Sequence, residues 1–206
     1  MKDVPERTSI ASLVRPGYIV ELSSNQAQGL NSVAVSCILH MQRIGETTVW
    51  VQSTQGSLYP PDLARAGVDL DALPTVHVPP LKLSRAAEIV LRSGAFGLVV
   101  LDLREHQPAG IAWQSRLAQM ARKNASRLIL LTSTDRQQPS AGPMVSLRFK
   151  PHWRRTGTAE VELVCEVLKN KVGAHVEQVT EQRTVPDGLA LMPEPTACHV
   201  NAVLQN

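Results

Sequence analysis

In the stretch YIVELSSNQAQGLN, Tyr18 to Asn31, an apolar run gives way to a polar loop with one glycine, and a long apolar segment follows. Phosphate-binding loops use that layout. Their backbone N–H groups and a helix N-terminus cradle phosphates, a lysine neutralises the charge, and a hydroxyl binds magnesium. Aligned on GxxxxGK[ST], Ser24 replaces the first glycine, Gly29 remains, Leu30 takes the lysine position and Asn31 the hydroxyl position. Leucine cannot donate to a phosphate, and placing its side chain beside one would cost desolvation. Asparagine is a poorer magnesium ligand than serine or threonine. By spacing alone, an ordinary strand-to-helix turn fits these residues as well as a degraded nucleotide site does.

Two other groups have the residue types for chemistry. Asp102 closes the apolar run FGLVVLDL, where a carboxylate at a strand end either binds a metal or caps and pairs locally. Arg148, Lys150, Arg154, Arg155, Lys169 and Lys171 fall in the last third of the chain, with Trp153 available for stacking. Such a face suits a protein interface or single-stranded DNA. Glu160, Glu162 and Glu166 are interleaved with it, so an ordinary solvated surface is the competing reading. The six histidines, His40, His77, His106, His152, His175 and His199, have no ligand spacing, and no metal or cofactor is expected. Cys37, Cys165 and Cys198 are far apart with no CxxC pair, which reads as reduced thiols in a cytoplasmic protein, Cys37 being a core residue.

The elements that must position these residues alternate in type. The chain has 206 residues, 43% of them hydrophobic and only 3% aromatic, so one domain with an aliphatic core is expected. A net charge of +3 permits nucleic-acid contact without demanding it. No run approaches the roughly 18 apolar residues of a membrane span, and the first residues, MKDVPERTSIASL, do not read as a secretory signal. YIVELS, TTVWVQS, TVHV, FGLVVLDL and RLILLTST read as strands. Between them, LNSVAVSCILHMQRI, a short proline-opened segment ending at Gly67, KLSRAAEIVLRSG and GIAWQSRLAQMARKN read as helices. Gly45 and Gly94 are the expected stops of two of them, and Ser84 the expected N-cap of the third helix. Alternating strands and helices imply an α/β fold with a mostly parallel central sheet flanked by helices. MVSLRFKPHW, AEVELVCEVLKNK and AHVEQVTE then read as antiparallel strands at the C-terminal end of the sheet. Residues 1–182 form the expected core domain. Residues 183–206, rich in proline, read as an irregular, mobile tail.

Several of these segments, in this order, resemble the core of the RecA recombinase family from about residue 8 to about residue 180. GYIVELSSNQAQGLNS is similar to its first strand and P-loop, and LYPPDLARAGVDLDAL to the segment after its second strand. LRSGAFGLVVLDL resembles the stretch ending in the Walker B aspartate, and VSLRFKPHWRR with VLKNK the late strands. The resemblance implies a RecA-like core in which Asp102 is a vestigial Walker B residue. It places Gln55 where the family carries its catalytic glutamate, and an amide cannot serve as that general base. Lys169 and Lys171 match two lysines that reach across the subunit interface. REHQPAG and DRQQPSAGP are short where the family carries DNA-binding loops. The family's long N-terminal docking helix is absent or reduced to a stub, so filament formation by this chain alone is not expected.

Within that superfamily the chain resembles the ImuA, or SulA-like, proteins of bacterial inducible mutagenesis cassettes. The resemblance implies a non-enzymatic accessory role in translesion synthesis during the SOS response, with RecA, an ImuB-type protein and a DnaE-type polymerase as partners and no membrane. A single-stranded DNA-binding module, a cell-division inhibitor and an ATPase with unorthodox phosphate contacts are the alternatives. Ile10, Leu13 and Val14 could replace the missing docking helix or pack on the core. Leu189, Leu191 and Met192 could enter a partner groove or cover the chain's own sheet edge.

Overall fold

The computed structural model describes residues 9–25, 29–56, 58–107, 111–157, 160–173 and 177–184. Five strands with short flanking helices come first: α1 (Ile10–Leu13), β1 (Ile19–Ser23), α2 (Leu30–Arg43), β2 (Thr48–Ser53), α3 (Pro60–Arg65), β3 (Thr75–Val78), α4 (Leu83–Ser93), β4 (Leu98–Asp102), α5 (Ala112–Lys123) and β5 (Arg127–Thr132). Three longer strands follow, β6 (Leu147–Arg155), β7 (Glu160–Asn170) and β8 (Gln178–Thr184). They form one eight-stranded sheet in the order β3-β2-β4-β5-β1-β6-β7-β8. This is an α/β architecture compatible with a RecA-like core.

The pairing explains the sequence pattern. β1, β2 and β4 are buried at every residue, as parallel strands covered on both faces must be. One apolar layer packs α1, α2 and α3 against Val20, Leu22, Trp50, Val100 and Ile129. The other packs α4 and α5 against Ile19, Val49, Val99, Leu101 and Leu130. β6 joins parallel to β1 over Leu147–Phe149, and the antiparallel pairings begin between β6 and β7 and continue to β8. Pro151 is tolerated in the middle of β6 because β1 has ended by then, so the missing N–H costs no ladder bond on that side.

Three local expectations meet the structure directly. Gly94 ends α4 in the left-handed region at φ 67°. Ser84 is not the N-cap of that helix. Pro80–Lys82 forms a 3-10 turn that runs straight into α4, so Lys82 takes the cap position and the buried Ser84 Oγ has no partner. Ile10 and Val14 are buried and Leu13 packs against the same layer, so the N-terminal segment covers this chain's own core. Arg183 and Thr184, placed in the tail by the sequence reading, end β8, while Leu189, Leu191, Met192 and Cys198 lie outside the described residues. No helix among the described residues is long and apolar enough to cross a membrane.

Candidate functional site at the carboxyl ends of the strands

In an open α/β sheet, ligands bind beyond the carboxyl ends of the strands, where the loops diverge. Here that region gathers the ends of β1, β2, β4 and β5. Ser24 is buried after β1, and its N–H donates to Thr132 O at 3.2 Å. Asn25 Nδ2 donates to Asp135 Oδ2 at 3.2 Å, tying this turn to the segment after β5. Gly29 caps α2 at φ 78° without a side-chain cap. A Cβ there would stand 2.9 Å from Leu163 Cδ1 and 3.3 Å from Pro151 Cβ, so the position needs glycine for backbone angle and for space. Leu30 is fully buried in the layer that holds Leu22, Phe149 and Leu163. The residue at the lysine position therefore faces the core and not the mouth of the sheet. Asn31 Oδ1, one residue on, is buried without a partner.

Asp102 is buried at the end of β4, and its neighbour two residues on closes over it. Arg104 donates to Asp102 Oδ1 from Nε at 2.9 Å and from the backbone N at 3.1 Å, and from Nη2 to Oδ2. Both carboxylate oxygens are thereby engaged by a fixed positive fork. A divalent cation needs open carboxylate lone pairs, and in this arrangement the guanidinium occupies that place. Beside the pair lies a cavity of about 200 Å³ lined by Ser53, Gly56, Asp102, Arg104 and Glu105. Ser53 Oγ donates to Glu105 Oε2 and accepts from Gln55 N at 3.1 Å. Gln55 itself is exposed in the turn after β2 and does not line the cavity. Arg104 and Glu105 escaped the sequence reading. The signal available was the short spacing Asp102-Leu103-Arg104, which lets a guanidinium fold back on its own strand end.

The six cations of the last third do not form one free face. Arg148 is only 4% exposed. It donates to Ser23 Oγ at 2.9 Å, Gln138 O at 2.7 Å, Thr134 Oγ1 at 3.0 Å and Asp135 O at 2.8 Å, with Glu21 Oε1 3.6 Å away. This burial removes Arg148 from any surface contact with DNA or protein. Glu21 is the unforeseen partner, a fully buried carboxylate in the middle of the fully buried strand β1. It accepts from Thr132 Oγ1, Thr134 Oγ1 and Ala141 N at 2.9, 3.3 and 2.9 Å. A lone glutamate inside YIVELS was the signal for it.

The remaining cations are engaged as well. Lys150 Nζ donates to Asp135 Oδ1 at 2.8 Å, and that bond, with the backbone N–H of Arg136, holds the Asp135 carboxyl below its usual range. Lys169 Nζ donates to Ser140 Oγ and Gly142 O, both at 2.9 Å, and Lys171 Nζ to Pro143 O at 2.6 Å. Desolvation, then the charge of Lys171, lowers the Lys169 pKa from its ordinary value. The connection from β5 to β6 is thus strapped down by cations of this same chain. Arg154 pairs with Glu162 at 2.6 Å across the β6–β7 ladder. Arg155, on the opposite face of β6, donates to Gly157 O at 3.2 Å, and Trp153 on that same face is 38% exposed.

Cys37 and Cys165 are free and buried. Burial pushes the Cys37 thiol up to about 12 and raises Cys165 as well, each helped by the nearby Glu181 charge, so neither is a thiolate nucleophile at neutral pH. Among the described residues no group of three His, Cys, Asp or Glu side chains is placed to hold a metal ion. No protein-family model and no curated protein matches this chain.

Proposed function

We propose that this chain is a non-catalytic RecA-like accessory protein that acts by docking. In this reading it serves SOS-induced translesion DNA synthesis through contact with RecA and an ImuB-type protein, and through them with a DnaE-type polymerase. The observation that carries the proposal is Leu30, buried in the core at the position of the phosphate-neutralising lysine. The Arg104 clamp on Asp102 supports it from the other side of the same region, since it spends the remaining acid on an internal pair. With Asn31 at the hydroxyl position and Gln55 at the glutamate position, three separate parts of nucleotide chemistry are replaced, counting Leu30.

The test is direct. The purified chain is mixed with RecA on single-stranded DNA, with an ImuB-type protein, and with each in the presence and absence of ATP and magnesium. Binding to one or both, with no ATP turnover by the chain itself, is the expected result. ATP turnover that disappears in Asp102→Ala would overturn the non-catalytic reading. Absence of binding to both proteins would overturn the partner assignment.

A further inference from the structure

Charge is unevenly shared between the two helical layers. The turn Pro80–Lys82 with α4 and α5 carries Lys82, Arg85, Arg92, Arg116, Arg122 and Lys123, all exposed, against one carboxylate, Glu88. Glu88 is already spent. Its buried carboxyl accepts from Arg116 Nε at 2.6 Å and from Arg85 Nη1 at 3.1 Å, which leaves two guanidiniums sharing one negative charge between the helices. The opposite layer carries exposed Asp62, Asp69 and Asp71 beside Arg43 and Arg65.

The same basic face displays large aliphatic side chains. Leu81 is 81% exposed, Ile89 57% and Ile111 56%. Leu81 in the 3-10 turn is followed by Arg85, Ile89 and Arg92 on α4 at spacings of four, four and three, so apolar and cationic groups alternate from the turn along the exposed side of the helix. The helix dipole accounts for Arg92, Arg122 and Lys123 in the last turns of their helices. It does not account for three exposed aliphatics set among them.

We infer that the α4–α5 face is a docking surface for an acidic, amphipathic helical segment of another protein. Charge complementarity names the occupant. A helix with aspartates or glutamates flanking an aliphatic stripe would place its carboxylates on Arg85, Arg92 and Arg116 while covering Leu81 and Ile89. Nucleic acid fits less well, because the patch exposes aliphatic carbon where a phosphate chain would pass and shows no exposed aromatic for base stacking. The surface begins where Pro80–Lys82 leaves the carboxyl end of β3 and runs along the outer side of α4 and α5, and it does not depend on RecA or an ImuB-type protein being the partner.

The experiment uses the whole chain and four fluorescent probes. These are a helical peptide of about 20 residues with a leucine stripe flanked by glutamates, its scrambled form, a single-stranded oligonucleotide, and vesicles of phosphatidylglycerol with phosphatidylcholine. Binding is read by anisotropy or co-sedimentation at about 50 mM and about 500 mM salt. The striped peptide is expected to bind best, to weaken about tenfold in Leu81→Ser/Ile89→Ser, and to weaken with salt and in Arg92→Glu. The single exposed changes Leu81→Ser and Ile89→Ser give the same reading should the double variant fold poorly. Equal binding of the scrambled peptide, stronger binding of oligonucleotide or vesicles, or striped-peptide binding indifferent to these substitutions would each overturn the proposal. So would no binding of the striped peptide at low salt, or self-association of the chain that the same substitutions abolish.

Discussion

Leu30 decides more about this chain than any charged residue does. Its side chain is fully buried, so a lysine there would offer no phosphate contact but place an ammonium in the core. Leu30→Lys is expected to lose about 3 kcal/mol of stability in urea unfolding and to gain no ATP turnover. Unaltered stability, or turnover appearing in the variant, would show that the position opens to the mouth of the sheet. That leucine follows Gly29, where a P-loop motif would carry lysine, is legible in the sequence because such a motif is a local pattern. The fate of Asp102 was only half legible. A carboxylate at a strand end is visible as a letter, whereas the return of Arg104 onto it depends on how the chain turns after β4, and spacing does not state that direction.

Among the elements, α4 and α5 are joined by a clasp whose strength depends on pH. Burial alone would raise the Glu88 carboxyl. Hydrogen bonds from Arg116 and Arg85, with their charges, outweigh it and hold the pKa below the ordinary 4.5. A carboxyl depressed in the folded state stabilises above its unfolded pKa and loses that contribution as pH falls through the folded value. Both arginines are more than half exposed, so solvent screening limits the clasp to roughly 1 kcal/mol. Thermal unfolding from pH 7 down to pH values under about 4.5 should therefore show an acid-side loss that is smaller in Glu88→Gln. Identical acid limbs in the two proteins would remove the clasp. The helices themselves were legible from periodicity, since an amphipathic repeat is a local property. The cap of α4 was not, because two prolines start a tighter turn that moves the helix start and leaves Ser84 inside it.

At the scale of the whole molecule, the parallel and antiparallel parts of the sheet meet at β1 and β6. They share only three residue pairs there, with the buried Glu21–Arg148 network beside them. On the α4–α5 side the polar β5–β6 connection covers that seam. Removing one member strands the other in a dry place. Glu21→Ala is expected to cost about 3–5 kcal/mol in equilibrium unfolding, with amide exchange rising first in β6–β8. The double variant Glu21→Leu/Arg148→Met should lose less than the sum of the two singles. Losses that simply add would mean that the two residues work apart. The mostly parallel character of the sheet, with antiparallel strands at its C-terminal end, followed from the alternation of segments; the order of the strands within it did not. The pairing of Glu21 with Arg148 did not, because it joins β1 to β6 across most of the chain, and a single sequence shows the two charges without the fold that brings them together.

Beyond Phe149, β6 climbs past the end of β1 for several residues, with β7 and β8 rising beside it. At about 3.4 Å per residue, the five residues from Pro151 to Arg155 make a parapet roughly 17 Å tall along one margin of the strand ends. Traffic toward β4 is consequently one-sided. A folded visitor arriving over β8 meets that wall of backbone, while on the β3 side the described chain presents the short turns Thr54–Gly56 and Pro80–Lys82.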